Sequence, residues 1–466
     1  MGMRRLSGFV GVTTVLLLAT PAFSQADPPP VAKASGFTLL DALGVAYETN
    51  PQLAAAQAGL RATDETVAQA NAKWRPSISA SGTYGFETYK INSAPSWIGT
   101  HPLNAQIGVT QSIFRGGRTY AEIGQAKALV RVGRAQLLAA EQTVLLGAAT
   151  AYMDVVRDAA IVDLRRHNVE VLRRQRDQTS LEFKAGSLTR TDVAQSEARL
   201  STSQSELTAA EGQLAISRSN FMQAIGRPAE TLEGTPTVPG LVPKNEDEAL
   251  GLALKQNPAL VSARENERAA DYAVDDAIGA LLPEVSVQGG YQYSQSSYSS
   301  TLGAGQIVHG LGVTGQIDIP LYQGGAEEAT IRQAKELHSQ AVLNVSATDR
   351  DVRDTVSSAW NTFQAAQANI SSNEATANAD EIAFRGVSKE QQVGGRTVLD
   401  VLNAQQELLN AQVAVVTSQR DAMVAAFRII AASGVLTAKT LGLKVKLYDP
   451  LDHYDSDAAR WIGFGD

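Results

Sequence analysis

The chain has 466 residues, of which 44% are hydrophobic and 19% charged, with 38 Gly and no Cys. The missing Cys excludes disulfide scaffolds, thiolate metal sites, Cys nucleophiles and a lipidated N-terminal Cys. Forty basic against forty-eight acidic residues give a net charge of -8, which excludes nucleic acid as the main partner because phosphate neutralisation needs a cationic surface.

At the N-terminus, Arg4 and Arg5 precede an apolar run over 8–19, and the small residues Ala22 and Ser24 follow at cleavage spacing. This predicts a signal peptide over 1–24 and an N-terminal extension over 25–36. An uncleaved anchor is the alternative, but the run is shorter than the ~20 residues of a membrane span. No other segment reaches 18 consecutive apolar residues. An exported chain of this kind is periplasmic, secreted or an outer-membrane β protein.

The elements then come in two sets. Repeat 1, over 37–226, predicts a helix over 38–74, strands over 77–87 and 103–115, a long helix over 117–184, a Gly turn and a helix over 190–225. A linker over 227–245 holds four Pro and two Gly. Repeat 2, over 246–438, predicts a helix over 246–281, strands over 284–294 and 306–321, a long helix over 326–392 and a helix over 398–433. The tail is 439–466. Asn50-Pro51 and Tyr84 recur 207 residues on as Asn257-Pro258 and Tyr291. Gly116-Gly117, Tyr152, Gly186, Asp192 and Gly226 recur 208 residues on as Gly324-Gly325, Trp360, Gly394, Asp400 and Gly434. A single register slip over such a distance is the mark of internal duplication.

The extended stretches alternate. Ile78, Ala80, Gly82, Tyr84 and Phe86 share one parity, as do Val285, Val287, Tyr291 and Tyr293, and Ile307, Leu311, Val313 and Ile317. Four such strands have the length that crosses an outer membrane, with Tyr89, Trp97 and Tyr298 placed to suit an interfacial girdle. A small soluble β-domain with one wet face is the alternative. Spanning strands need about eight to close a barrel, and open edges are not tolerated in lipid. The barrel must then be shared between copies. The long helices lack Pro and would run ~100 Å, with Ile123, Val130, Leu137 and Val144 on a seven-residue track. Their Ala, Gln and Ser favour side-by-side packing, as staves of a hollow assembly.

The Gly turns carry the most specific chemistry. Gly186 and Gly394-Gly395 end one helix each. Thr189 with Asp192, and Thr397 with Asp400, fit a T-x-x-D helix start. That local role alone accounts for both Asp residues. A second reading brings copies of the turns together on one axis, so that Asp400 forms a carboxylate ring and Arg396 binds Asp192 on an adjacent helix.

The duplicated halves, the paired strands and the run Val393-Gly394-Gly395-Arg396-Thr397-Val398-Leu399-Asp400-Val401-Leu402-Asn403-Ala404 resemble the TolC family of outer-membrane channel proteins. The resemblance covers nearly the whole mature chain. It implies a mixed α+β, mostly α fold and a homotrimer, with a shared 12-stranded transmembrane β-barrel above a periplasmic α-barrel. It implies as partners outer-membrane lipid, a periplasmic adaptor (membrane fusion protein) and an inner-membrane ABC or proton-driven transporter, with no cofactor. Carried over by position, Thr191, Asp192, Gln391, Arg396, Asp400 and Asn403 stand at the periplasmic gate, and Gly186, Gly394 and Gly395 at adaptor-facing turns. Gln391 stands where the best-known member has Tyr, and Asn403 where it has Asp. One acidic ring is therefore missing, and weaker cation trapping is expected. The tail from Tyr448 to Trp461 resembles those of members serving type I secretion and broad efflux.

The function expected is a passive outer-membrane exit duct for type I secretion, multidrug efflux or both. A trimeric coiled-coil adhesin or a periplasmic spacer is the alternative. An exported hydrolase finds no support, because neither Gly pair makes a phosphate loop and no Ser/His/Asp set has motif context.

Overall fold

The computed structural model describes residues 37–90, 97–230, 232–234, 236, 240–296, 306–458 and 460–463. The expected signal peptide and N-terminal extension, both strand-hairpin tips with Tyr298, and parts of the linker lie outside these residues.

Each half opens with two helices rather than one. Helices α1 (Leu39–Thr49) and α2 (Pro51–Ala72) meet at Asn50-Pro51, and α5 (Glu246–Gln256) and α6 (Pro258–Gly279) meet at Asn257-Pro258. Pro lacks the N–H that would continue the first helix, yet suits the first position of the next. The preceding Asn caps it: Gln52 N donates to Asn50 Oδ1 at 2.9 Å, and Ala259 N to Asn257 Oδ1 at 3.0 Å. The single helical segments expected over 38–74 and 246–281 are corrected accordingly.

The strands are β1 (Ser77–Tyr84), β2 (Glu87–Tyr89), β3 (Ile98–Thr100), β4 (Leu103–Arg115), β5 (Glu284–Ser296) and β6 (Gln306–Asp318). Strands β1, β4, β5 and β6 pair in that order, all antiparallel, while β2 and β3 form a separate ribbon. The strand expected over 77–87 is interrupted after Tyr84, where Gly85 faces Pro102, which has no N–H to give the ladder. The strand expected to reach 321 stops at Asp318, two residues before Pro320.

Register gives the sheet two unlike faces. Ile78, Val109, Gly289 and Val313 lie in one row across it, and Ala80, Ile107, Tyr291 and Leu311 in the next. The opposite face carries the rows Ser79, Gly108, Gly290, Gly312 and Ser81, Gln106, Gln292, Gly310. Among the described residues neither face is covered: every residue of β1 and β6 is exposed, with Ile78 at 73% and Leu311 at 85% on the apolar face. Among the described residues no strand lies beside either edge, β1 or β6.

Below the sheet run two helical hairpins, α3 (Arg118–Lys184, 67 residues) with α4 (Arg190–Ile225), and α7 (Ala326–Gln392, 67 residues) with α8 (Val398–Ala432). At 1.5 Å per residue the long members reach ~100 Å. The main core lies midway, where Leu43, Leu53, Tyr152, Phe221, Phe427 and Ile430 meet. Tyr152 Oη lies 2.9 Å from the Phe37 carbonyl oxygen and 2.8 Å from that of Glu233, and burial pushes its phenol up to about 12. A second core forms around Leu260, Val352, Phe363 and Ile429.

The C-terminal segment is no loose polar end. Leu436, Ala438 and Leu443 enter the main core, Tyr448 N donates to Tyr47 Oη at 3.1 Å, and α9 (Asp452–Asp457) lies against α2. Among the described residues no helix is long and apolar enough to cross a membrane, and no group of acidic or His side chains could hold a metal.

Candidate functional site

The turns at the far ends of the hairpins share one construction. After α3, Gly186 takes φ +82°, and Ser187 N donates to the Glu182 carbonyl at 3.1 Å. After α7, Gly394 takes φ +83°, and Gly395 N donates to the Glu390 carbonyl at 2.8 Å. The left-handed backbone that Gly adopts without strain reverses the chain and pairs carbonyls orphaned at the helix end.

Thr189 and Thr397 then start α4 and α8 with reciprocal capping boxes. Thr189 N donates to Asp192 Oδ2 at 2.9 Å and Asp192 N to Thr189 Oγ1 at 3.3 Å. Thr397 N donates to Asp400 Oδ2 at 2.9 Å and Asp400 N to Thr397 Oγ1 at 3.2 Å. Hydrogen bonds from Thr189 hold the Asp192 carboxyl below the usual carboxylate range, and hydrogen bonds from Thr397 do the same for Asp400. Both are charged at neutral pH.

Arg396 is ion-paired with Glu390 across its own turn, Nε to Oε2 at 2.9 Å, and this hydrogen bond raises its pKa further. The expected partner, Asp192, is instead held by Thr189. The pairing of Arg396 with Asp192 is therefore not made within one chain, because each group finds a nearer partner on its own hairpin. Asn403, one turn above Asp400, accepts a hydrogen bond from Arg199 Nη2 at 2.9 Å, which ties α4 to α8. Thr191 is exposed and Gln391 half-buried at the end of α7. Gly186, Gly394 and Gly395 are exposed at the outermost points of the turns.

Just above the turns the two hairpins are joined by a small apolar cluster of Val169, Leu172, Leu200, Val398 and Leu402. A buried polar chain runs beside it: Asn168 Nδ2 donates to Ser203 Oγ at 3.0 Å, and Gln405 Nε2 to Asn168 Oδ1 at 3.1 Å. Sequence reasoning missed Glu390, Arg199 and this chain. Glu390 lies six residues before Arg396, across a Gly turn that bends the two together, so its spacing was a usable signal. Arg199 and Asn403 are joined only by tertiary packing, and no local pattern marks them. Charged capping residues, a buried polar seam and exposed turns can attract ions and form contacts.

The comparisons agree with this architecture. The family described as Outer membrane efflux protein matches residues 42–227 and 249–435, one match per half. Outer membrane efflux protein BepC of Brucella suis is 34% identical over 429 residues, covering 91% of both chains. Outer membrane protein TolC of Escherichia coli is 25% identical over 84% of this chain and 81% of its own. Alkaline protease secretion protein AprF of Pseudomonas aeruginosa is 25% identical over 95% and 91%. Among solved structures, the Campylobacter jejuni CmeC outer membrane channel superposes with a TM-score of 0.75 at 16% identity, covering 90% of this chain and 89% of that one. The chain belongs to the outer membrane efflux protein family, the TolC family, and its place is the outer membrane.

Proposed function

We propose that the chain is one third of a passive exit duct. Three copies join their sheets into a 12-stranded barrel in the outer membrane, and their helical hairpins into an α-barrel across the periplasm. The observation that carries this reading is the two-faced, open-edged sheet. A 13-residue strand such as β6 is ~43 Å long, and at a tilt near 45° it rises ~30 Å, the thickness of a bilayer core. One face is apolar enough for lipid and the other lined with Ser, Gln and Gly, as an aqueous lumen requires. Four strands are too few to close, and the edge groups of β1 and β6 need partners in lipid.

The entrance lies at the turns. Asp400 of each copy contributes to a carboxylate ring that attracts cations, while Arg396, Asp192, Thr191 and Gln391 hold the copies together in the closed state. Arg396 must give up Glu390, and Asp192 must share a carboxylate already bonded to Thr189. Such exchange makes a weak lock, which contact with a periplasmic adaptor at Gly186, Gly394 and Gly395 is able to open. An inner-membrane ABC or proton-driven transporter supplies the energy. BepC is named for efflux and AprF for alkaline protease secretion, which supports both effluxed compounds and secreted protein as cargo.

Single-channel conductance in planar bilayers tests the lock. Wild type should show a small, stable conductance, and Arg396→Ala a clearly larger one. Equal conductance in both would remove Arg396 from the gate, and no conductance from folded protein would overturn the duct.

A further inference from the structure

The C-terminal segment is held closely against the end of α2 nearest the sheet. After Tyr448 it follows α2 upward. His453 Nδ1 lies 3.4 Å from Asp64 Oδ2, and Arg134 of α3 lies over the Tyr454 ring, 5.0 Å from its centroid. Asn71 Nδ2 donates to the Ala458 carbonyl at 2.9 Å, and Arg75 Nη1 to the Arg460 carbonyl at 2.5 Å. From Asp64 to Asn71 the helix rises ~10 Å, and Ser77, the first residue of β1, comes two residues after Arg75. The segment therefore arrives where the membrane strands begin.

There it presents two large side chains outward. Trp461 lies under the Arg75 guanidinium, 4.7 Å from ring centroid to Cζ, and is 68% exposed, while Ile462 is 92% exposed. Trp74 and Tyr120 sit at the same junction, edge to face with centroids 5.1 Å apart. Trp74 precedes β1, and Tyr120 follows β4. The basic groups beside them are already engaged, Lys73 and Arg115 with Glu122 and Arg118 with Asp276. What remains on offer is apolar and aromatic surface with polar edges, the chemistry that settles at a membrane–water boundary.

We infer that the C-terminal segment is an interfacial anchor. Trp461 and Ile462 enter the boundary between headgroups and acyl chains of the periplasmic leaflet, level with Trp74 and Tyr120, and the partner is phospholipid. The α9 docking on α2 sets their height, continuing the lipid-facing surface of the sheet onto the helical part. Lys73, Arg115 and Arg118 are ion-paired within the protein and Arg75 is turned to the Arg460 carbonyl and the Trp461 ring, so the contact rests chiefly on burial of apolar and indole surface.

The full mature chain tests this in vesicles of phosphatidylethanolamine with a minority of phosphatidylglycerol. The sequence has no Cys, so Ile462→Cys takes a single nitroxide label, and Leu447→Cys, 44% exposed on the same tail, serves as its control. At position 462 the expected label is reached by dissolved oxygen and shielded from a water-soluble relaxant, whereas the label at 447 is reached by the relaxant. A label at 462 reached by the relaxant would overturn the anchor, as would one shielded from both agents, which would place it against a second copy. As a second measurement, Trp74, Trp97 and Trp360 are changed to Phe, leaving Trp461 alone. Its fluorescence should fall by at least half with lipid brominated near the headgroup and less with bromine at the chain end. No quenching would contradict the inference. Conductance recorded from the same preparations reports on the duct separately, so a pore with an aqueous label at 462 rejects the anchor alone.

Discussion

Arg199 changes what a single carboxylate would do near the hairpin turns. Its guanidinium donates to Asn403 Oδ1 at 2.9 Å, so an Asp placed at 403 would be neutralised as soon as it formed. Asn403→Asp alone should therefore add little block by divalent cations. Asn403→Asp with Arg199→Gln should deepen it about tenfold, read as the concentration that halves the single-channel current. Equal block in the two variants would show that Arg199 does not guard this position. A second expectation concerns pH. The Asp400 carboxyl is held low by hydrogen bonds from Thr397, so its cap contribution is in place above the ordinary Asp value of about 3.9 and is lost as pH falls through the lower folded value. Cation preference, measured as reversal potential in a salt gradient, should accordingly persist to below pH 3.9. A loss centred near pH 5 would contradict this. Thr397 and Asp400 were legible because a capping box spans only four residues. The partner that Arg396 finds within one chain was not, since Glu390 and Asp192 are equally acidic and only the folded turn decides which is near in a single copy.

At the scale of elements, duplication governs both construction and its failures. The Asn of each Asn-Pro pair caps one helix with Oδ1 and reaches the end of a long helix with Nδ2: Asn50 to the Ala224 carbonyl at 3.4 Å, Asn257 to that of Ala432 at 3.0 Å. Beside them stand Gly226 and Gly434, with φ of +83° and +81°. A Cβ at 434 would lie 2.7 Å from the Gln256 carbonyl carbon, which is backbone and cannot yield, whereas one at 226 would meet the Thr49 side chain at 3.1 Å. Gly434→Ala should therefore cost about 2–4 kcal/mol and Gly226→Ala about 1–2, the left-handed strain common to both. Unfolding midpoints of the two variants check the order, and equal losses would show that the fit at 434 relaxes freely. The repeat itself was plain in the sequence, because caps, Pro and Gly act locally. The missed breaks and ends have a local reason too: Pro51, Pro258, Pro102 and Pro320 lack the N–H groups that periodicity alone does not count.

At the scale of the whole molecule, the two long hairpins are unequal. Helix α3 buries side chains along most of its length, while equally long α7 buries only Val352, Val356, Phe363 and Ala366. Leu337 and Leu343 stand exposed on α7, as Ile78, Leu311, Val313 and Ile317 do on the sheet. At roughly 25 cal/mol per Å² of apolar surface, leaving such faces to water gives up much of the stabilisation a chain this size can gather. The alternating strands marked the open sheet faces in the sequence, whereas the seven-residue track lies on α3, where Val130, Leu137 and Val144 are buried in the chain's own core. How each chain covers its own share of them was hidden, because that depends on how the halves lie together. Strand β4 pairs with β5, for instance, across 169 residues from Arg115 to Glu284. Identical neighbours should complete the open sheet and the bare α7. Native mass spectrometry of the mature protein, extracted in mild detergent, should then give a mass of three chains that survives dilution, with no folded single chain beside it. A stable folded monomer, or a dimer, would contradict this.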